Sequence, residues 1–241
     1  MPHDGRPDAP AGSPRIVVMA KKPALGMVKT RLTTRLSERD TLRLYEAFLA
    51  DKVDQVRGVR GARAVVSVAP PDAPDSIRPW IPADVDVVAQ RGPDLGARLA
   101  ALMADHFDQS SAPLLLVDSD TPTLPPAVFS EAIDVLGRRA ADVVVGPSVD
   151  GGYYLIGLSA ACPALFEGIA WSTSRVLSQT RERAARAGLT VHDLVTWRDV
   201  DTPEDFDALV RELSALARTD DGFPERTARA IADLESLRRE R

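Results

Sequence analysis

The sequence has little cysteine, no surplus of positive charge and no long apolar run. Cys162 is the only cysteine among 241 residues, which excludes an intramolecular disulfide and any metal site built on several cysteines. A formal net charge of -5 at pH 7 leaves no basic excess for non-specific binding of nucleic acid. No stretch has the length and apolarity needed to span a bilayer. We therefore expect neither a nucleic acid nor a membrane among the partners of this protein.

The N-terminus also lacks the features of a signal peptide. Residues 1–14, MPHDGRPDAPAGSP, carry proline, glycine and aspartate where a signal peptide needs a basic start and an apolar stretch. This composition predicts a disordered lead-in over residues 1–14. The single cysteine fits a reducing compartment, so we expect a cytoplasmic protein.

The rest of the chain alternates apolar, β-branched runs with stretches of helical period. This alternation predicts an α/β fold with a largely parallel sheet in one domain over residues 15–217, followed by a charged helix or tail over residues 218–241. The predicted strands are 15–20, 64–69, 85–89, 113–117, 142–145, 153–158 and 189–195. The clearest helix begins at a capping box of Ser37 and Asp40. Further helices are predicted over 95–107, 126–139, 174–187 and 203–217.

The segment AKKPALGMVKTRL, residues 20–32, follows the first predicted strand and is rich in cations. Those cations are Lys21, Lys22, Lys29 and Arg31. Cations crowded into one loop repel one another and gain little unless an anion lies among them. Ligands of open α/β sheets bind beyond the carboxyl ends of the strands, where this loop is predicted to lie. The segment therefore indicates a phosphate site shaped by Pro23 and Gly26; the alternative is a solvated loop whose lysines serve solubility.

A pair of aspartates follows the fourth predicted strand, in PLLLVDSDTPTLP. Asp118 and Asp120 lie one residue apart, so on an extended backbone both side chains can point the same way. Two carboxylates in this arrangement suit Mg²⁺ or Mn²⁺. In the alternative interpretation, Asp120 or Thr121 merely begins a turn.

Two later segments also place carboxylates beside turns. Asp150, Gly151 and Gly152 predict first a hairpin between two strands, although the glycines would also let a ligand approach the backbone closely. Asp150 is then a candidate contact for a metal or an acceptor. Asp199 and Asp201 precede TPED, a strong helix start whose capping does not account for these two acids. Cations at one strand end and acids at three others are what a metal–nucleotide polyphosphate requires.

Five segments in this order resemble the bacterial family described as radical-SAM/selenodomain-associated transferase type one. They are AKKPALGMVKTRL, QRGPDLGARL, LLLVDSDTPTLP, GPSVDGGYYLIGL and DVDTPEDF. That family is placed in the nucleotide-diphospho-sugar transferase superfamily, and the resemblance spans about residues 15–212. It implies the GT-A fold: a Rossmann-like three-layer α/β sandwich around a mostly parallel, mixed central sheet.

The resemblance also implies roles for individual residues. The opening loop is similar to that of 2-phospho-lactate guanylyltransferase and, more distantly, of molybdenum-cofactor guanylyltransferases, where it wraps a nucleoside triphosphate. Asp120 matches the metal-binding aspartate of the superfamily, and Asp201 lies near a second metal position. Asp118 is a further candidate ligand, but many relatives have glycine or serine at its position. In the alternative, Asp120 is the only one of the pair that binds the metal. The implied nucleotide-binding residues are Lys21, Pro23, Gly26, Lys29, Thr30, Arg31, Asp94, Leu95 and Gly96. The implied acceptor-side residues are Gly151, Gly152, Trp171 and Ser172, although Ser172 to Ser174 also fit a helix cap and Trp171 also fits the core.

Three functions remain open at this point. In the first, Lys29 and Arg31 hold the triphosphate of an NTP while Mg²⁺ (or Mn²⁺) on Asp120 assists nucleotidyl transfer to a small phosphorylated acceptor, with release of pyrophosphate. In the second, the protein is a glycosyltransferase that uses an NDP-sugar, with Asp150 as the catalytic base. In the third, it binds nucleotides without catalysis. The base, the acceptor and a monomeric or dimeric state are not determined by the sequence.

Overall fold

The computed structural model describes residues 10, 12–218, 220 and 222–239. Most of the predicted lead-in, residues 1–9 and 11, lies outside the described residues, and so do 219, 221, 240 and 241 of the predicted C-terminal segment. The strands are β1 Arg15–Lys21, β2 Arg63–Ala69, β3 Asp86–Ala89, β4 Leu114–Val117, β5 Val143–Pro147, β6 Tyr153–Leu158 and β7 Val191–Asp193. The α-helices are α1 Glu38–Gly58, α2 Leu95–Phe107, α3 Ala127–Gly137, α4 Val176–Arg186, α5 Pro203–Ala215 and α6 Glu225–Arg239.

The seven strands form one mixed sheet in the order β3-β2-β1-β4-β6-β5-β7. Only β6 is antiparallel to its neighbours, β4 and β5, and the other pairs are parallel. The predicted turn at residues 150–152 accounts for this reversal, because a short hairpin joins antiparallel strands while helical crossovers join parallel ones. The carboxyl ends of the other six strands therefore meet at one edge of the sheet.

Helices cover both faces of the sheet, which confirms the predicted α/β fold with a mostly parallel, mixed sheet. On one face, Leu49 and Val53 of α1 and Phe129 of α3 pack against the sheet in one apolar cluster. On the other face, Met103 of α2 and Ala184 of α4 belong to a second cluster. Each helix forms where apolar residues recur at a helical period, since that face can be buried against the sheet.

Three short 3₁₀ helices, Thr30–Thr34, Arg78–Trp80 and Pro163–Phe166, were not predicted from the sequence. A segment of three to five residues is too short to show a helical period, so pattern alone does not reveal it. The first of them matters for the site because it follows the cationic loop. Its Leu32 is fully buried in a third apolar cluster, which α1, α5 and α6 complete.

The C-terminal helix α6 packs on α1 through a cap that α1 itself provides. The buried carboxylate of Asp51 accepts hydrogen bonds from the backbone N–H groups of Thr227 (2.8 Å) and Arg226 (3.2 Å) in the first turn of α6. Ile231 and Leu234 of α6 are buried in the third cluster. The first backbone N–H groups of a helix have no partner within it, so Asp51 supplies what α6 lacks.

We expect Asp51→Ala to lower the free energy of unfolding by about 1–2 kcal/mol, because the variant loses this cap and leaves N–H groups without an acceptor. Urea denaturation measures the change, and hydrogen exchange over residues 225–239 locates it. Asp54→Ala is the matched control, because Asp54 makes only an exposed ion pair with Arg226 (2.6 Å) and should cost less than about 1 kcal/mol. Equal losses in the two variants would contradict the assigned cap.

Candidate functional site

The cationic loop after β1 is held at both ends by buried side chains. Pro23 and Val28 are buried, and Leu32 anchors the 3₁₀ helix that follows. The loop turns through two left-handed residues, Gly26 with φ of 70° and Lys29 with φ of 48°. Glycine adopts this conformation readily, whereas lysine does so rarely, so the surrounding packing must hold the Lys29 backbone in place.

Lys29 makes ion pairs with two aspartates that come from distant parts of the chain. Its Nζ lies 2.8 Å from Oδ2 of Asp120 and 2.7 Å from Oδ1 of Asp201. The Lys29 side chain is 3% exposed, against 30% for Asp120 and 41% for Asp201. Burial opposes the charge on Lys29, but the two carboxylates outweigh it and raise the pKa of its ammonium group. Lys29 therefore stays protonated at any physiological pH.

A backbone hydrogen bond brings the two aspartates of this pair together. The N–H of Val200 donates to the carbonyl of Asp120 at 3.0 Å, which ties the segment before α5 to the turn after β4. The capping box predicted at this helix start is present, with Thr202 and Asp205 hydrogen bonded to each other. As a result, Asp201 lies just outside the first turn of α5 and faces Lys29.

Asp118 is hydrogen bonded inside the turn that carries Asp120. Its Oδ1 accepts from Oγ1 of Thr121 at 2.7 Å and from the N–H of Asp120 at 3.3 Å. Oδ1 of Asp120 accepts from the Ser119 hydroxyl at 3.1 Å. Burial raises the pKa of Asp118 to about 7, although the charge of Lys52 opposes this shift. Asp118 thus orders the turn, and its role as a metal ligand stays a prediction.

A buried lysine of α1, which the sequence analysis missed, supports the same turn. Nζ of Lys52 donates to the carbonyl of Thr121 at 2.8 Å, and Nε2 of Gln55 donates to that of Pro122 at 2.7 Å. Lys52 is fully buried, and burial lowers its pKa to about 8 while Asp118 opposes the shift. The signal in the sequence was a charged residue beside Val53, within the apolar face of the predicted helix.

Tyr45, also on α1, holds the end of β1. Its hydroxyl accepts from the N–H of Lys21 (2.8 Å) and donates to the carbonyl of the same residue (2.9 Å). Burial and the charge of Asp120 raise the pKa of this hydroxyl to about 12, so it remains a donor. The Lys21 side chain is exposed, as are Thr30 and Arg31.

A cavity of about 220 Å³ opens next to the ion pairs of Lys29. Arg31, Asp150, Asp199 and Asp201 line it, together with Arg198 and Thr202. Burial, followed by the charges of Asp150 and Asp201, raises the pKa of Asp199 to about 6. The structure thus brings Lys29, Arg31, Asp120, Asp150 and Asp201 to one place. Asp199, which helix capping did not account for, also lines the cavity.

The hairpin glycines have structural explanations as well as predicted roles. The N–H of Gly152 donates to Oδ1 of Asp150 at 2.8 Å. Gly151 has φ of 90°, and a Cβ on it would lie 2.3 Å from the carbonyl oxygen of Ser174. The hairpin tip therefore packs directly against the segment before α4.

The predicted base or ribose contacts meet Trp171 of the predicted acceptor segment at the start of α2. Asp94 caps α2, with Oδ1 accepting from the N–H of Ala97 at 2.8 Å, and the following Leu95 is 41% exposed. A Cβ on Gly96 would lie 2.7 Å from Nε1 of Trp171, so this glycine lets α2 approach the tryptophan. Ser172 adopts a left-handed backbone with φ of 62°.

The cap predicted for residues 172 to 174 is present in part, through Thr173 and not through a serine. The residue at the cap position is Arg175, which makes no side-chain cap, and the nearby hydroxyl of Thr173 accepts from the Arg175 N–H at 3.3 Å. Ring centroids of Trp171 and Tyr153 lie 6.5 Å apart, edge to face. Trp171 therefore packs between α2 and β6.

The carboxylates fit a divalent cation that takes most of its ligands from a substrate. In the described part of the chain, no three His, Cys, Asp or Glu side chains are grouped as metal ligands. Mg²⁺ needs only one or two carboxylates when waters and phosphate oxygens complete its shell. Asp120 and Asp201, which contact the same ammonium group, are such a pair.

No helix within residues 10–239, as far as these are described, is long and apolar enough to cross a membrane.

A family profile for an uncharacterized protein conserved in bacteria, DUF2064, matches residues 52–173. This match covers half of the chain. The protein belongs to the DUF2064 family. A search of curated proteins finds no match for this DUF2064 protein.

Solved structures share its fold. A Desulfovibrio desulfuricans G20 protein provisionally assigned as a nucleotide-diphospho-sugar transferase is 31% identical, with a TM-score of 0.84 over 94% of this chain and 97% of that one. CMP:2-keto-3-deoxy-manno-octonic acid synthetase complexed with CTP is 12% identical, with a TM-score of 0.54 over 84% and 98% of the two chains. A Mycobacterium tuberculosis H37Rv protein complexed with manganese is 20% identical, with a TM-score of 0.50 over 84% and 100%.

These likenesses confirm the expected nucleotide-diphospho-sugar transferase-like fold of the DUF2064 protein. The match to the Desulfovibrio protein extends over 94% of this chain and 97% of that one. The narrower radical-SAM/selenodomain designation remains a prediction.

We expect Gly96→Ala to destabilise the protein by about 1–3 kcal/mol, because the added Cβ would lie 2.7 Å from Trp171 and 2.9 Å from the carbonyl of Phe166. Urea denaturation followed by tryptophan fluorescence measures the loss. Gly137→Ala is the matched control, since its Cβ would meet nothing within 4 Å at the end of α3, and it should stabilise by about 0.4–1 kcal/mol. A neutral Gly96→Ala would show that α2 does not need this close approach.

Proposed function

We propose that this DUF2064 protein is a metal-dependent transferase that moves a nucleotidyl group from an NTP to a small phosphorylated acceptor and releases pyrophosphate. The observation that carries the proposal is the contact of Lys29 with both Asp120 and Asp201. The loop after β1, Asp120 from the turn after β4 and Asp201 from the segment before α5 converge there, at the edge of an α/β sheet where ligands bind. The wider assignment, a nucleotide-dependent transferase, is supported by the fold shared with a CTP-complexed synthetase and a provisionally assigned sugar-nucleotide transferase.

The local charges suit this chemistry. Phosphoryl transfer needs positioning and charge stabilisation more than it needs reactive side chains. Arg31 is an exposed cation that lines the cavity, and Lys29 stays charged between the two carboxylates. Lys29 ends the loop after β1, and Arg31 lies in the 3₁₀ helix that follows it. Gly26 of this loop has a positive φ, so the backbone can approach phosphate oxygens closely. Lys21 and Thr30, also exposed, extend the same surface toward a nucleotide.

In the proposed reaction, an oxygen of the acceptor phosphate attacks the α-phosphorus of the NTP. A new phosphorus–oxygen bond forms, the bond to the β-phosphate oxygen breaks, and pyrophosphate leaves with the electron pair. Lys29 and Arg31 would stabilise the charge on the departing pyrophosphate. Asp120 and Asp201 would hold Mg²⁺ or Mn²⁺, which supplies neutralisation of the polyphosphate charge when it is bound. Asp118 would orient Asp120 through the N–H that it accepts from.

The acceptor would occupy the 220 Å³ cavity beside Asp201. Asp150 lines this cavity, and its carboxylate already accepts from the N–H of Gly152. Arg31 and Arg198 provide the positive charges that an acceptor phosphate would need among these acids. Asp94 and Leu95, at the start of α2, would contact the base or ribose.

A second candidate is glycosyl transfer from an NDP-sugar. It is favoured by the 31% identity to the protein provisionally assigned as a nucleotide-diphospho-sugar transferase. In this reaction Asp150 or Asp199, both in the cavity, would take the proton of the acceptor hydroxyl. Burial raises the pKa of Asp199 to about 6, which suits a base that works near neutral pH.

Pyrophosphate assays with Mg²⁺, each NTP and a panel of phosphorylated acceptors test the first candidate. We expect pyrophosphate release that EDTA abolishes and that Asp120→Asn lowers about a hundredfold or more, because the charge holding the metal is lost. Asp108→Asn is the matched control: it makes the same chemical change at an exposed site after α2, away from the strand ends that carry the site. The proposal fails if NTPs neither bind nor react while an NDP-sugar is consumed.

A further inference from the structure

We propose that Lys29 is an internal counter-cation that competes with the divalent ion for the carboxylates of Asp120 and Asp201, so that the metal binds weakly without the nucleotide and more tightly with it. This inference rests on the proposed function, in which these carboxylates hold the metal. It assigns Lys29 a second position, on the carboxylates, in addition to its predicted place on phosphate.

Three of the four carboxylate oxygens of Asp120 and Asp201 already contact a donor. Oδ2 of Asp120 and Oδ1 of Asp201 both contact Nζ of Lys29, at 2.8 and 2.7 Å. The other oxygen of Asp120 accepts from Ser119 at 3.1 Å. A divalent ion held by both aspartates would therefore compete with the ammonium group for these oxygens.

Coexistence of the two cations is opposed by their charges. Like charges at short distance repel strongly where water is scarce, and the Lys29 side chain is 3% exposed. The exposed fractions of Asp120 (30%) and Asp201 (41%) leave the pair open to an ion from solvent.

A bound nucleotide polyphosphate would relieve the repulsion between the metal ion and Lys29. It provides anionic oxygens that can receive the released ammonium group, and it brings further ligands for the metal. In this exchange of partners every charge stays paired. The carboxylates would release Lys29 and bind the metal, and Lys29 would bind phosphate oxygens. Metal and nucleotide should therefore bind with positive coupling that depends on Lys29.

The first test titrates the full-length protein with Mn²⁺ alone and measures the free ion by electron paramagnetic resonance. We expect Lys29→Met to bind Mn²⁺ about tenfold or more tightly than the wild type, because no charged hydrogen bond has to be broken first. An NTP should then improve Mn²⁺ affinity less in the variant than in the wild type. Lys22→Met is the matched control, since it removes a positive charge from the same loop without touching the carboxylate pair, and it should leave the Mn²⁺ affinity unchanged.

The second test needs no variant, so it decides the question even if Lys29→Met does not fold. Wild-type protein is acetylated briefly with an amine-directed reagent, and labelling of each lysine is read by mass spectrometry. We expect Lys29 to be protected without metal, labelled when millimolar Mn²⁺ is added, and protected again by Mn²⁺ with an NTP. Labelling of Lys22 should not follow this pattern.

The outcomes separate this inference from the proposed function. The exchange is overturned if Lys29→Met binds Mn²⁺ no more tightly than the wild type, or if Mn²⁺ leaves Lys29 unlabelled. If Asp120→Asn and Asp201→Asn nevertheless lose Mn²⁺ binding in the presence of an NTP, the proposed metal site stands without the exchange. If the wild type binds no Mn²⁺ with any NTP, the exchange and the metal in the proposed function both fail.

Discussion

The candidate site depends on one contact, an ammonium group shared by two carboxylates, and the surrounding elements hold this contact in place. Lys29 comes from the loop after β1, Asp120 from the turn after β4 and Asp201 from the segment before α5. Removing one partner of a buried ion pair leaves an uncompensated charge, which typically costs about 3–5 kcal/mol. The three segments are thus coupled, although 90 residues lie between Lys29 and Asp120 and 80 between Asp120 and Asp201.

The side chains that hold the turn of Asp120 in place are themselves polar or charged, and they are buried. Lys52 and Gln55 of α1 hold the carbonyls of Thr121 and Pro122, while Asp118 holds the hydroxyl of Thr121. Burying a lysine is costly, and its pKa falls accordingly. A cost of this kind is often met at sites where a rigid arrangement serves function, and here it fixes the turn that presents Asp120.

Much of the fold could be read from patterns because those patterns are local. The predicted ranges of β6 and α2 have the same first and last residues as the observed elements, since clear turn signals flank both apolar runs. The short 3₁₀ helices were not predicted, since they contain too few residues for a period. Asp94 and Gly96 were given roles in binding a nucleotide, yet the structure also gives them local tasks, a helix cap and a close approach to Trp171. Resemblance alone cannot separate such tasks from a role in binding.

The sequence by itself determined the α/β class, the positions of the strand ends and the residue types that gather there, because hydrophobic period and turn chemistry act over a few residues. Only the tertiary structure decided which charges meet. It paired Lys29 with carboxylates, left Arg31 exposed, brought Asp199 into the cavity and placed Lys52 under the site. The physical reason is that partner choice depends on strand order and on hydrogen bonds such as that from Val200 to Asp120, which join residues far apart in the chain.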